Sequence, residues 1–171
     1  MVASEILGKS FFLEGIWPQS FSLFGSERRG APVFGFLRVD NGPILLKCQI
    51  KRPDHVIIFD LSLAEEQEVF SEVKPGGLAL INTHRDIACF QRWRALRMGL
   101  IDAGAIAKSA GLGHTFNTAI LGAYARLTGL VKLDTLISAV RGMVPSKVEA
   151  NVEAVLRAYE AVRIYRPEEI G

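Results

Sequence analysis

Apolar and polar positions follow two different periods along this chain. Over residues 2–14, Val2, Ile6, Leu7, Phe11 and Leu13 recur at near-helical spacing, and Gly15 offers a stop. Residues 17–24 (Trp-Pro-Gln-Ser-Phe-Ser-Leu-Phe) alternate instead, which predicts a half-buried strand. Two more strands are expected over 33–39 and 44–50. Asp40-Asn41-Gly42-Pro43 separates them, and Asn-Gly in such a gap predicts a hairpin. Residues 55–60 form a short, nearly continuous apolar run, as in a strand covered on both faces. Ser62 with Glu65 makes a capping box that opens a helix over 63–73. Pro75-Gly76-Gly77 reads as a turn, and 78–82 as another buried strand.

Residues 84–95 show no clear period. A short strand over 97–102 and a helix over 103–110 follow. Three amphipathic helices end the chain. Phe116, Ile120, Ala123, Tyr124 and Leu127 share a face in 116–128, and Leu133, Leu136, Ile137, Val140 and Met143 do so in 133–143. Val148, Val152, Val155, Leu156, Tyr159 and Val162 do so in 147–163, with Ser146 and Glu149 as a second capping box. These stripes read as core, not as a cofactor box. Strands alternating with helices predict an α/β layered fold, and the hairpin within 33–50 predicts a mixed sheet. No repeat, linker or low-complexity segment divides the chain, so residues 1–171 are expected to form one domain.

Composition narrows the function classes. Apolar residues make up 49% and charged residues 22% of the 171, an ordinary globular balance. Net charge is +2 with no long Lys/Arg run, so no nucleic-acid partner is expected. The densest basic stretch, 91–97, suits a solvated loop, or a phosphate or partner contact. No run of eighteen apolar residues and no signal-peptide pattern occurs, so a cytoplasmic protein without a membrane span is expected. Cys48 and Cys89 form no C-x-x-C pair, which argues against a redox couple or an iron–sulfur site. Both are expected as buried free thiols. His55, His84 and His114 lack metal-ligand spacing, so no metal site is expected, and neither G-x-S-x-G nor a P-loop occurs.

Three places could carry binding chemistry. In Glu27-Arg28-Arg29-Gly30 the carboxylate could hold one guanidinium and leave the other for a phosphate, a carboxylate or a partner's acid. Gly30 would admit another backbone closely. A charged hairpin tip is the competing reading. Asp60, Asn82 and Thr83 end buried strands, the side of an open α/β sheet where ligands bind. A turn or helix-start role is the preferred reading of Asp60. Residues 111–118, Gly-Leu-Gly-His-Thr-Phe-Asn-Thr, resemble a dinucleotide loop only weakly, because Phe116 stands where the third glycine would be. A glycine helix stop followed by Thr115 or Asn117 as cap accounts for them better, and the helix start could receive an anion.

The order of segments resembles one family. Ala3-Ser4-Glu5-Ile6-Leu7, Gln19-Ser20-Phe21, residues 24–33 around Glu27-Arg28-Arg29-Gly30-Ala31-Pro32, and Phe36-Leu37-Arg38-Val39 are similar to the gamma subunit of pyruvate and related 2-oxoacid:ferredoxin oxidoreductases. So are residues 53–58, 77–82, Ile101-Asp102-Ala103, residues 117–123, Asn151 and Ala158-Tyr159-Glu160. The resemblance implies a three-layer α/β/α gamma domain that is inactive alone. It implies an enzyme that converts a 2-oxoacid and coenzyme A to acyl-CoA and carbon dioxide and passes electrons to ferredoxin or flavodoxin. Thiamine diphosphate, Mg and 4Fe-4S clusters would lie in alpha, beta and delta-type partners, and this chain would bind no cofactor alone but help to enclose coenzyme A. Arg28, Arg29, Asn117 and Thr118 become coenzyme A or interface candidates, and Glu27 and Gly30 interface candidates. Ala31-Pro32 favours the pyruvate or branched-chain class over 2-oxoglutarate, with indolepyruvate a further alternative. Against the family pattern, the first strand and its glycine-rich loop are missing, so the chain is expected to be truncated or its start assigned too late. A stand-alone nucleotide or coenzyme A module, and a small enzyme of another class, are the competing functions.

Overall fold

The computed structural model describes residues 2–24, 33–46, 48–66 and 69–170. The chain opens with α1 (Val2–Leu13), which buries Ile6, Leu7 and Phe11. Gly15 reverses the path at φ 81°, a conformation that costs glycine little. Strands β1 (Trp17–Phe24) and β2 (Val33–Asp40) then pair antiparallel, from Trp17↔Asp40 to Phe24↔Val33. The expected hairpin between 33–39 and 44–50 does not form. Residues 43–46 and 48–50 lie in no strand. Pro43 offers no amide to a ladder, and β1 already occupies an edge of β2.

The central sheet has the order β3-β4-β5-β6. Strands β3 (His55–Ile58), β4 (Leu78–Asn82) and β5 (Arg97–Ile101) run parallel, and β6 (Arg163–Tyr165) pairs antiparallel with β5. The sheet is mixed as expected, but β6 makes it so, because the hairpin forms a separate two-stranded sheet. The helix expected over 147–163 stops at Ala161, and Val162-Arg163-Ile164-Tyr165 resumes strand-like alternation before Pro167.

Two cores flank the sheet. On one face Leu78, Leu80 and Ile101 pack with α1, α4 (Ala103–Ser109), α5 (Ala119–Thr128), α6 (Leu133–Met143) and α7 (Val148–Ala161). On the other, Ala79, Ile81, Met98 and Leu100 meet Leu61 of α2 (Leu61–Glu66), Phe70 of α3 (Val69–Glu72) and Phe90 of a 3-10 segment (Ile87–Trp93). The three layers agree with the sequence expectation. Residues 91–97 are not a plain solvated loop: Trp93 stacks on Phe70, and Arg97 opens β5.

Both expected capping boxes fail, for one reason. Helix α2 begins before Ser62, so Asp60 caps it by accepting from the Ser62 amide (3.0 Å) and hydroxyl (2.6 Å). Glu65 faces Arg85 at 3.9 Å instead. Before α7, Lys147 occupies the left-handed region, and Glu149 turns to the Arg141 guanidinium. A charged partner outside the helix takes each glutamate. Cys48 and Cys89 are exposed, not buried as expected. Cys48 lies beside the uncovered side of β2, where Arg38 donates to its carbonyl. Among the described residues no helix is long and apolar enough to cross a membrane.

Candidate functional site

The carboxyl ends of β4 and β5 build a polar rim. Asn82 donates to the Phe59 carbonyl (3.1 Å) and accepts from the Ala103 amide (3.0 Å), so one side chain ties the β3 end to the start of α4. The Thr83 amide donates to the Ile101 carbonyl (2.8 Å), and its hydroxyl accepts from the Arg85 amide (3.1 Å). Asp102 caps α4 by accepting from the Ala105 amide at 2.8 Å.

Two open clefts flank the first turn of α4. One, of about 350 Å³, is bounded by Thr83, His84, Asp102 and Arg163 over an apolar floor. The other, of about 290 Å³, has Asp102, Lys108, His114 and Phe116 on its walls. They share Asp102 and Ala105. Arg163 is fixed at the first by donating to the Arg85 carbonyl (2.9 Å). Lys147 holds the glycine loop at the second by donating to the Gly111 carbonyl (2.6 Å). The Phe59 and Phe116 rings, 6.0 Å apart, bring the 111–118 loop to the end of β3. The strand-end residues and the glycine loop, read separately in the sequence, thus form one rim.

Of the sequence candidates, Asn117 is half-buried and follows Phe116 in the chain, but it lines neither cleft. Thr118 is turned inward at 2% exposure. Its hydroxyl donates to Asn151 Oδ1 at 2.7 Å, while the Asn151 amide donates to the Lys147 carbonyl at 2.9 Å. Neither Thr115 nor Asn117 caps α5; the helix begins after Thr118, with no side-chain cap bond. Glu27, Arg28, Arg29 and Gly30 lie outside the described residues. Sequence reasoning missed His84, Lys108 and Arg163, each a single charged or titratable residue whose place appears only when the strand ends converge.

The rim offers hydrogen-bond donors and mixed charge without an assembled reaction centre. Among the described residues no three His, Cys, Asp or Glu side chains gather as a metal site. The nearest approach to an acid–base pair lies at the opposite end of the sheet, where His55 Nδ1 sits 3.0 Å from the Tyr124 hydroxyl. Burial lowers the His55 pKa, opposed by Asp54 and assisted by Arg97, and burial pushes Tyr124 up to about 12. Both rings are therefore neutral near pH 7, a structural hydrogen bond and not a charged couple.

Comparison with known proteins identifies the family. The family model described as pyruvate ferredoxin/flavodoxin oxidoreductase matches residues 1–161. Pyruvate synthase subunit PorC of Methanothermobacter thermautotrophicus is 39% identical over 168 residues, covering 97% of this chain and 91% of the relative. The pyruvate/ketoisovalerate oxidoreductases common subunit gamma of Pyrococcus furiosus is 38% identical over 170 residues, covering 96% and 91%. The crystal structure of pyruvate oxidoreductase subunit PORC from Thermotoga maritima superposes with a TM-score of 0.80 at 28% identity, covering 96% of this chain and 90% of that one. With the family model spanning most of its length, this chain belongs to the pyruvate ferredoxin/flavodoxin oxidoreductase family.

Proposed function

We propose that the chain is the gamma subunit of a cytoplasmic 2-oxoacid:ferredoxin oxidoreductase of the pyruvate class, and that it acts only within the assembled enzyme. The carrying observation is likeness along nearly the whole chain to relatives named as subunits of such enzymes. The polar groups gathered at the strand ends support a binding or positioning role for this chain. Alpha, beta and delta-type partners would supply thiamine diphosphate, Mg and 4Fe-4S clusters, and ferredoxin would take electrons from the complex. Coenzyme A supplies the acyl acceptor; this chain would help to enclose it.

Arg28 and Arg29 are the candidates to meet its phosphates or a partner's acids, with Glu27 and Gly30 at the same contact. Asn117 remains a candidate contact, half-buried and next in the chain to Phe116 of the rim. Thr118 would act through the fold, because its hydroxyl donates to Asn151 Oδ1. The test is purification of the tagged chain from its host, with identification of what accompanies it. Thiamine- and iron–sulfur-bearing subunits are expected. In that complex, replacing Arg28 and Arg29 by alanine should weaken assembly or raise the KM for coenzyme A by about tenfold, the loss of one charge-assisted contact. A lone monomer that binds coenzyme A tightly by calorimetry would support the stand-alone module instead.

A further inference from the structure

The β1–β2 hairpin has one face packed on α1 and an opposite face that no helix covers and that stays half-exposed. Pro18 and Leu37 point to α1, where a Cβ on Gly8 would stand 3.4 Å from Leu37. The opposite face carries Phe21, Phe36 and Phe34 in a row, with ring centroids 5.1 Å and 6.4 Å apart. Arg38 lies over Phe21 at 5.6 Å. None of the three phenylalanines packs against either core. Two hydrogen bonds tether the following segment to this face: Gln19 to the Ile44 carbonyl (3.5 Å) and Arg38 to the Cys48 carbonyl (2.5 Å). Between those tethers Leu45 and Leu46 are 88% and 64% exposed.

Charge separates the same region from the rest of the chain. Residues 17–52 hold six basic side chains (Arg28, Arg29, Arg38, Lys47, Lys51 and Arg52) against two acidic ones (Glu27 and Asp40). That is a net +4 in a chain whose total is +2, so the remainder carries −2. Helix α1 supplies the packing that a two-stranded sheet needs on one face, and the phenylalanine face is left half-exposed. Stacked aromatics beside an arginine have the make-up of an interface centre, and among the described residues of this stretch Arg38, Lys51 and Arg52 outnumber the one acid, Asp40.

We infer that this aromatic face, extended by Leu45 and Leu46, docks on a companion subunit of the same enzyme, against an apolar surface with an acidic border. The inference rests on the proposed subunit role but assigns the contact to residues that role does not specify. The two leucines supply apolar area, Arg38 and the phenylalanines a preformed centre, and the positive field orients the approach.

The test is co-expression of the full chain, wild type or Leu45→Glu/Leu46→Glu, with its companion subunits. Both leucines are exposed, so the variant should keep its melting temperature within about 2 °C, as surface changes usually do. Its recovery in the complex should fall by about tenfold or more, and added salt should weaken wild-type assembly. Leu156→Glu on α7, also an exposed leucine, should assemble normally. Equal recovery of wild type and double variant overturns this inference and leaves the subunit reading intact. A wild-type chain that never assembles sinks both. If the leucines prove to drive self-association of the chain or binding to phosphatidylglycerol vesicles while assembly is unaffected, the docking assignment is wrong.

Discussion

His55 and Tyr124 share one hydrogen bond, and each is held neutral by burial. The folded imidazole binds its proton less readily than the unfolded chain does at 6.5, so folding favours the neutral ring. Stability should therefore be full above pH 6.5 and decline as pH falls below it, because the unfolded chain takes up the proton first. At the other limit, Tyr124 should cost stability as pH rises from 10.0 towards 12, where only the unfolded phenol ionises. Urea midpoints measured across pH check both arms. His55→Gln should flatten the acid arm and Tyr124→Phe the alkaline one; unchanged slopes would remove the pair from the account. Gly122 is constrained by space: an added Cβ would fall 2.0 Å from the Val155 carbonyl oxygen. Gly122→Ala should force α5 from α7 and cost about 1–3 kcal/mol by denaturant titration; a neutral result would mean the helices can part freely. Sequence marked Gly122 only as one residue of a resemblance. The contact that constrains it joins distant segments, as does the Thr118–Asn151 bond, and no local pattern shows either.

Most regular elements were legible because one face of each meets a core. Helices α1, α6 and α7 follow their apolar stripes in position, but Val2, Leu13, Met143 and Leu156, expected in the core, lie exposed. Strands β3, β4 and β5 follow continuous apolar runs, as strands covered by helices on both faces should. The failures lie where no core decides. Asn41-Gly42 carries strong turn chemistry, yet the pairing goes to β1, which precedes it. Strand β6 is three residues long, and its partner β5 is far back in the chain. The rim was half legible: strand-end position picked out Asn82 and Thr83, but Arg163 arrives on β6, an element the pattern did not predict. The separate hairpin also differs in stability from the main sheet. Leu80, Ile81 and Leu100 are fully buried, while the hairpin's outer residues are half-exposed. Amides of β4 and β5 should therefore exchange with deuterium at least about a hundredfold more slowly than those of β1 and β2 in the free chain. Equal protection would make the hairpin part of the global folding unit.

At the scale of the molecule, an α/β sandwich carries a rim of polar groups at its strand ends and an aromatic arm outside its two cores. In the proposed role the rim would orient a polar ligand and the arm would hold a neighbour. Chemistry at a carbonyl carbon would then belong to what the arm brings into place. The most direct measurement is reconstitution: pyruvate- and coenzyme A-dependent reduction of ferredoxin or a viologen dye by companion subunits prepared without this chain, then with it added. The chain alone should show no turnover, the companions alone a strongly impaired one, and the mixture full activity. Turnover by the isolated chain, or companions that reach full rate without it, would contradict the account.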